Sequence, residues 1–128
     1  MSKKLDAAIA EALGWKNIRI KKRYADVRAW GEPPKPKEER FGDIRDIDDI
    51  PLYSTDGNAM LELDREMRER GWRLFDLNYD IKTNLWYCEY EGRYQVAGRF
   101  TGVNADTMPE AVALASYKAL TGKEWNEG

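Results

Sequence analysis

The sequence contains no histidine, a single cysteine and no long apolar run. Without histidine, the commonest general base and the serine and cysteine triads that depend on it are excluded. Cys88 alone leaves no intrachain disulfide, and the usual zinc-ligand sets cannot be assembled from it. We therefore predict a protein that is not an enzyme, with no catalytic residues, no metal site and no cofactor.

No stretch approaches the roughly 20 apolar residues of a membrane span, and residues 1–13 lack the apolar run of a secretory signal. These absences predict a cytoplasmic protein without a membrane partner. Five Trp, seven Tyr and three Phe among 128 residues argue against disorder, because aromatic side chains of this kind fill cores or interfaces. The length fits one domain, so residues 1–128 are predicted to form a single domain.

Charge is distributed unevenly along the chain. Residues 1–40 hold 11 basic and 6 acidic groups, whereas residues 41–128 hold 10 and 17, so the two parts carry +5 and −7. Such asymmetry marks a face for nucleic acid or an anionic ligand, or two regions that attract each other in the fold or in an oligomer. The sequence leaves both interpretations open.

Residues 1–53 are predicted to contain a helix, a basic strand and a connector. Apolar residues at helical spacing, from Leu5 to Leu13, predict a helix over residues 3–13 that ends at Gly14. From Trp15 the pattern alternates, which predicts an edge strand with Ile18 and Ile20 on one side and Arg19 and Lys21 on the other. Three prolines in residues 32–40 predict a loop, and residues 41–53 an acidic connector.

Residues 54–122 are predicted to form the body of an α+β fold. N-cap donors in residues 54–58 begin a helix that ends at Gly71, and Thr107 with Glu110 forms a capping box for a last helix that ends at Gly122. Between these helices, residues 72–79, 85–90 and 94–103 predict a three-stranded antiparallel meander. The expected order is helix, meander, helix (α-β-β-β-α), with an N-terminal helix and edge strand added.

Alternation along the meander predicts which side chains face the core. The predicted core row comprises Phe75, Leu77, Tyr79, Trp86, Cys88, Tyr90, Val96, Gly98 and Phe100. The predicted outer row comprises Asp76, Asn78, Tyr87, Glu89, Gln95, Arg99 and Thr101. Because helices cover only one face, the second face needs another cover, which predicts a homo-oligomer, in particular a dimer.

Three segments, residues 5–15, 51–56 and 105–115, together resemble the phage ABA sandwich domain family of tailed-phage and prophage proteins. The first begins with Leu5 and ends with Trp15, the second runs from Pro51 to Asp56, and the third contains the capping box at Thr107. The order and spacing of the segments match the family as well. The resemblance implies a body of helix, sheet and helix and a phage origin, but no general activity and no functional residues.

Basic groups interleaved with aromatic ones over residues 19–30 can hold a nucleotide by charge and stacking. An anion is also held where helix N–H donors and a guanidinium converge, which points to the start of the last helix. The predicted ligand-binding residues are Arg19, Arg23, Tyr24, Arg28, Trp30, Arg99, Thr101 and Thr107. The alternative is a solvated edge strand whose charges prevent pairing with other chains.

Other site types have weaker signals. Asp43, Asp46, Asp48 and Asp49 lack the alternating spacing and central glycine of a calcium loop. Glu110 stands near the start of the last helix, where a double-stranded-RNA-binding domain carries basic residues that contact phosphate. Because its carboxylate would repel phosphate, we do not expect RNA binding by that mode. A hydrolase that uses carboxylates or a metal would require a pocket of several acidic groups with raised pKa values.

The sequence therefore predicts a non-catalytic phage accessory protein that binds a host protein or a small anionic, nucleotide-like ligand, for example by sequestering a nucleotide signal of host defence. The alternative function is a nucleic-acid-binding module that uses the basic N-terminal region.

Overall fold

The computed structural model describes residues 3–23, 26–34, 47–92 and 100–126. Within these ranges the chain forms three helices and two small three-stranded antiparallel sheets, which confirms the predicted mixed α+β class. The helices are α1 (Lys3–Ala12), α2 (Gly57–Glu69) and α3 (Met108–Thr121). The strands are β1 (Lys16–Arg23), β2 (Asp26–Glu32), β3 (Asp48–Asp49), β4 (Trp72–Asp80), β5 (Leu85–Gly92) and β6 (Phe100–Ala105).

Helix α1 buries the apolar stripe that the sequence predicted. Leu5, Ile9 and Leu13 are all buried, and Gly14 leaves the helix with a φ of 104°. The helix also buries Asp6, whose Oδ1 accepts a hydrogen bond of 2.8 Å from the backbone N–H of Ser54. This bond ties α1 to the segment that precedes α2.

The N-terminal sheet has the order β1-β2-β3, so β1 is an edge strand, as predicted. Strands β2 and β3 were not predicted. The buried positions of β2 are Ala29 and Gly31, residues too small to give a recognisable hydrophobic alternation. A Cβ at Gly31 would lie 3.1 Å from Cγ1 of Ile18, so this small residue allows β1 and β2 to pack closely.

Helices α2 and α3 begin and end with the local signals read from the sequence. The side chain of Asp56 accepts from the N–H of Ala59, and that of Thr107 accepts from the N–H of Glu110. Gly122 ends α3 in the left-handed region with a φ of 74°. In space, α3 packs on β5 and β6 and against α1 and α2, and α2 also packs on β4.

The second sheet has the order β4-β5-β6 and departs from the predicted alternation in β4. Leu74 pairs with Tyr90 and Leu77 with Cys88, so an irregularity between Leu74 and Asp76 adds one residue to β4. Phe75 is consequently 55% exposed, and its prediction as a core residue is wrong. Leu74 takes its place against the core. A bulge of this kind breaks a strict period of two.

Strand β6 also differs from the predicted register. Val103 and Ala105 lie opposite Cys88 and Trp86, which places them on the core face. In the register, Thr101 lies opposite the buried Tyr90 and Phe100 lies opposite Glu91, whereas the prediction had grouped Phe100 with Tyr90. The predictions for Gln95, Val96, Gly98 and Arg99, and for the start of this strand, lie outside the described residues.

The core lies between the three helices and one face of the second sheet. Its fully buried side chains include Ile9 of α1, Leu63 and Met67 of α2, Tyr90 of β5 and Val112 of α3. Tyr79 shares the face of Trp86, with ring centroids 5.4 Å apart, but it remains exposed at the end of the sheet. Among the described residues, no helix combines the length and apolarity needed to cross a membrane.

Candidate functional site

Four residues of the N-terminal sheet form what we call the basic face: Arg19, Lys21, Arg28 and Trp30. Arg19 lies opposite Trp30, and Lys21 lies opposite Arg28. Because side chains alternate along a strand and direct cross-strand neighbours share a face, all four lie on one side of the sheet. The other side holds Ala29, which is buried. The basic face therefore points away from the core and places cations beside an aromatic ring; the same register puts Asp26 and Glu32 of β2 and Asp49 of β3 on this side as well.

One cation of the basic face is already paired. Nε of Arg28 lies 3.0 Å from Oδ1 of Asp49, and its Nη2 lies 3.4 Å from Oδ2. The hydrogen bond to Asp49 and the charge of this carboxylate raise the pKa of Arg28. Among the described residues, Arg19 and Lys21 make no hydrogen bond or ion pair through their side chains, and both are exposed. An anionic ligand can therefore contact these two cations without displacing a bound carboxylate, as it would have to do at Arg28.

The structure brings together only part of the predicted site. Arg19, Arg28 and Trp30 share the basic face, and Arg23 ends β1 opposite Asp26. Thr101 belongs to β6 and Thr107 to the start of α3, which packs on the second sheet, whereas β1 and β2 pack on α1. Tyr24 and Arg99 lie outside the described residues. These contacts therefore do not favour a single site that combines the basic strand β1 with the start of α3.

The start of α3 is occupied by its own capping box. Oγ1 of Thr107 accepts from the N–H of Glu110 at 3.3 Å, and Oε1 of Glu110 accepts from the N–H of Asp106 at 3.3 Å. The bond to Glu110 comes from the residue before the N-cap, while the bond to Thr107 occupies the N–H of Glu110, a donor that an anion would need, and Glu110 places a carboxylate at the helix start. The geometry therefore disfavours anion binding at this helix terminus.

A cleft of about 550 Å³ opens where the end of α1, the end of β2, the β3 segment and α2 meet. We call it the acidic cleft. Its apolar wall contains Trp15 and Tyr53 together with Leu13, Pro33, Pro34 and Pro51. Tyr53 is only 4% exposed, and its hydroxyl takes part in a side-chain hydrogen bond with Trp15. Two aromatic rings are thus fixed along one side of the cleft.

Among the described residues, the charged lining of the acidic cleft consists of Asp48, Asp49, Glu62 and Glu66, with Arg65 as the single cation. Glu66 lies 3.8 Å from Nε of Arg70, which is a long distance for an ion pair, and Asp49 is bound to Arg28. For Glu62 the described residues offer no hydrogen bond or ion pair. The described part of the lining therefore carries an excess of negative charge.

The carboxylates of α2 affect the pKa of Tyr53 in the aromatic wall of the cleft. Burial, and then the carboxylates of Glu66 and Glu62, raise the pKa of Tyr53 above its ordinary value of 10.0. Tyr53 therefore stays neutral at physiological pH, and the negative charge of the cleft comes from carboxylates alone. The sequence does not reveal this cleft, because Trp15, Tyr53 and Glu62 come from three different segments of the chain. The only local signal is the spacing of Glu62 and Glu66, which puts both on one face of α2.

The described residues contain no group of three or more Cys, Asp or Glu side chains arranged to hold a metal ion. Asp48 and Asp49 line the acidic cleft, and Asp43 and Asp46 lie outside the described residues. Cys88 is fully buried, and burial raises the pKa of its thiol to about 12, so it remains a protonated core residue.

Comparison with protein-family models, with curated proteins and with solved structures gives no match. The phage ABA sandwich family therefore stays a prediction that rests on the three segments quoted above.

Proposed function

We propose that this chain is a non-catalytic binding protein that holds an anionic ligand on the basic face. The observation that carries the proposal is the strand register that places Arg19 beside Trp30 and Lys21 beside Arg28. A guanidinium binds phosphate oxygens through its planar set of donors, and an indole offers a face for a base to stack on. A nucleotide-like ligand contains both groups within one small molecule.

The unpaired cations of the basic face and its paired cation should contribute differently to ligand binding. Arg19 and Lys21 are exposed and make no ion pair among the described residues, so we expect them to contact the phosphate. Arg28 is held by Asp49 and contributes less unless the anion displaces that carboxylate. Trp30 is half-buried in the central strand of the sheet, and we expect its ring to be the surface on which a base stacks.

The phage resemblance supports an accessory role in infection, such as sequestering a nucleotide signal of host defence or binding a host protein. In this proposal residues 54–122 form the α-β-β-β-α scaffold, and residues 1–53 supply the recognition surface. Helix α1 joins the two parts, since it packs on β1 and β2 as well as on α3.

The test compares two double variants of equal charge change. Arg19→Ala with Lys21→Ala removes the free cations of the basic face, and Lys82→Ala with Lys123→Ala removes two exposed lysines elsewhere. Mononucleotides, cyclic nucleotides and dinucleotides are titrated calorimetrically into each protein. We expect the first variant to weaken the Kd of a bound nucleotide at least about tenfold, which corresponds to about 1.4 kcal/mol, and the second to leave it unchanged. Failure of every nucleotide to bind the parent protein, or equal weakening by both variants, contradicts the proposal.

A nucleic-acid-binding function is the second candidate, and one observation favours it. Arg19 and Lys21 project from the basic face and Lys22 from the opposite side, so exposed cations flank the edge strand β1 where a phosphate backbone could run. Such binding would weaken steeply with salt, because counterions are released from each neutralised phosphate. Retardation of single-stranded oligonucleotides at two salt concentrations measures it, and absence of retardation at low salt excludes it.

We also propose that the chain forms a homodimer through the outer face of the second sheet. The side chains of this face include Tyr87, which donates a hydrogen bond to Glu89, and Tyr87 lies across Gly102 of β6. Three strands with helices on one side leave this face without a covering layer from the described residues. Light scattering at micromolar concentration should give twice the mass of the chain, and a monomer mass contradicts the dimer.

A further inference from the structure

The acidic cleft has a chemistry opposite to that of the basic face, and nothing in the proposed function uses it. Its volume of about 550 Å³ is within the range of small-molecule sites, roughly 300–1,000 Å³. Its lining combines carboxylates from two separate elements, β3 and α2, with an aromatic and proline wall. A solvated helix face would carry the carboxylates without the concave shape or the rings.

We propose that the acidic cleft binds an extended organic cation, namely an aliphatic ammonium or guanidinium group on an apolar stem. The ammonium or guanidinium would lie among Glu62, Glu66 and Asp48, and the stem would lie along Trp15 and Tyr53. Cations are attracted to the faces of aromatic rings as well as to carboxylates, with Trp the strongest of the aromatic partners. The two kinds of wall therefore recognise the two parts of one ligand.

The electrostatic balance of the cleft favours a cation over an anion. From the described part of the chain, four carboxylates line it against one guanidinium, that of Arg65. Asp49 is partly neutralised by Arg28, and Glu66 is only weakly paired at 3.8 Å with Arg70. Glu62 has no hydrogen bond or ion pair among the described residues, so a ligand cation would supply its first partner. Of the charged groups described in this lining, Arg65 would attract an anion and the carboxylates would repel it.

Two sources can supply this chemistry: a free polyamine, or a lysine or arginine side chain of a partner protein. Spermidine serves as the probe for the first and a short lysine- and arginine-containing peptide as the probe for the second. Mg²⁺ is the matched inorganic probe, because it carries charge but has no stem to contact Trp15 and Tyr53. Tighter binding of spermidine than of the peptide identifies a polyamine site, and the reverse identifies a site for a basic segment.

The decisive variants lie on the same helix. Glu62→Gln and Glu66→Gln remove carboxylates of the cleft, whereas Glu69→Gln makes the same charge change at an exposed position of α2 that does not line it. Glu62 is itself exposed, so its replacement leaves the core intact. A melting curve of each variant confirms that it folds before any titration is interpreted.

We expect calorimetry of the full chain to show saturable binding of spermidine or of the peptide. Each cleft variant should weaken the Kd about three- to tenfold, while Glu69→Gln leaves it unchanged. Mg²⁺ at equal ionic strength should not displace the bound probe. The proposal is overturned if neither organic probe binds, if the Glu69→Gln control weakens binding as much as Glu62→Gln, or if Mg²⁺ displaces the probe as effectively as spermidine does. None of these outcomes depends on whether the basic face binds a nucleotide.

Discussion

Asp6 connects α1 to the segment before α2 from inside the core, and its replacement measures how much that connection contributes to stability. The residue is 2% exposed, and its Oδ1 accepts the backbone N–H of Ser54 at 2.8 Å. Asp6→Ala leaves this buried donor without its acceptor, a cost of about 1–3 kcal/mol. Asp6→Asn keeps an acceptor oxygen and removes a buried charge, so we expect its free energy of unfolding to lie within about 1 kcal/mol of the parent protein.

The pH dependence separates the charge of Asp6 from its hydrogen bond. Burial raises the pKa of this carboxyl above its ordinary value of 3.8, although hydrogen bonds from Ser54 and the charge of Lys3 act in the opposite direction. The folded state thus binds the proton more tightly than the unfolded state does. The contribution of Asp6 to stability is therefore greatest below pH 3.8 and decreases as the pH rises through the raised folded-state value.

The assay is urea denaturation of the parent protein, Asp6→Ala and Asp6→Asn at several pH values between about 3 and 7. With rising pH, the stability difference between Asp6→Asn and the parent should move in favour of Asp6→Asn, because only the parent must ionise a buried carboxyl. A difference that stays constant with pH, or an Asp6→Ala variant within about 0.5 kcal/mol of the parent, refutes this reasoning.

Three further predictions concern particular positions. Gly122→Ala should lower the free energy of unfolding by about 1 kcal/mol, measured by urea denaturation, because Gly122 ends α3 with a φ of 74°. Leu74→Ala should destabilise the protein more than Phe75→Ala, because the irregularity in β4 turns Leu74 and not Phe75 toward the core; equal melting temperatures would contradict the assigned register. Cys88 should react with a thiol reagent only after urea is added, since it is fully buried and its pKa is raised to about 12.

The features predicted correctly from the sequence are those set by neighbouring residues. The cap of α2 joins Asp56 to Ala59, and that of α3 joins Thr107 to Glu110, each three residues apart. Gly122 needs no distant contact to adopt its left-handed conformation, because the absence of a Cβ suffices. Helix boundaries in this chain are therefore local properties, and the sequence alone carries them.

The features that were missed depend on contacts between distant segments. β2 buries only small residues, such as Ala29, and is recognisable as a strand through its pairing with β1. The extra residue in β4 becomes visible only through the register of its partner strand, in which Leu74 and Leu77 both face the core. The acidic cleft likewise combines Trp15, Tyr53 and Glu62 from three parts of the chain, so no local sequence pattern predicts the cleft as a whole.

The predicted binding residues divide along the same line. Arg19, Arg28 and Trp30 come from adjacent strands of one hairpin, and the structure brings them to one face. Thr107 was chosen because a helix start attracts anions, but the same residue also begins a capping box with Glu110. The hydrogen-bonding groups at the start of α3 are thus satisfied by neighbouring residues. The proposed site on the basic face does not include Thr107.

The ion pair between Arg28 and Asp49 links the two proposed sites. Arg28 belongs to the basic face, Asp49 lines the acidic cleft, and their atoms approach to 3.0 Å. Each residue therefore partly neutralises the group that the other site would present to its ligand. Both side chains are exposed, so the effect of releasing either one should be modest, about two- to threefold in Kd.

Single replacements should consequently act in opposite directions at the two sites. Asp49→Asn releases Arg28, and we expect it to tighten nucleotide binding while it weakens spermidine binding through loss of a carboxylate. Arg28→Ala releases Asp49 and should do the reverse. Separate calorimetric titrations of each ligand measure these four changes without mixing a polyamine with a nucleotide. If Asp49→Asn weakens both ligands, or if Arg28→Ala leaves spermidine binding unchanged, the pair does not connect the two surfaces, and each proposed site acts alone.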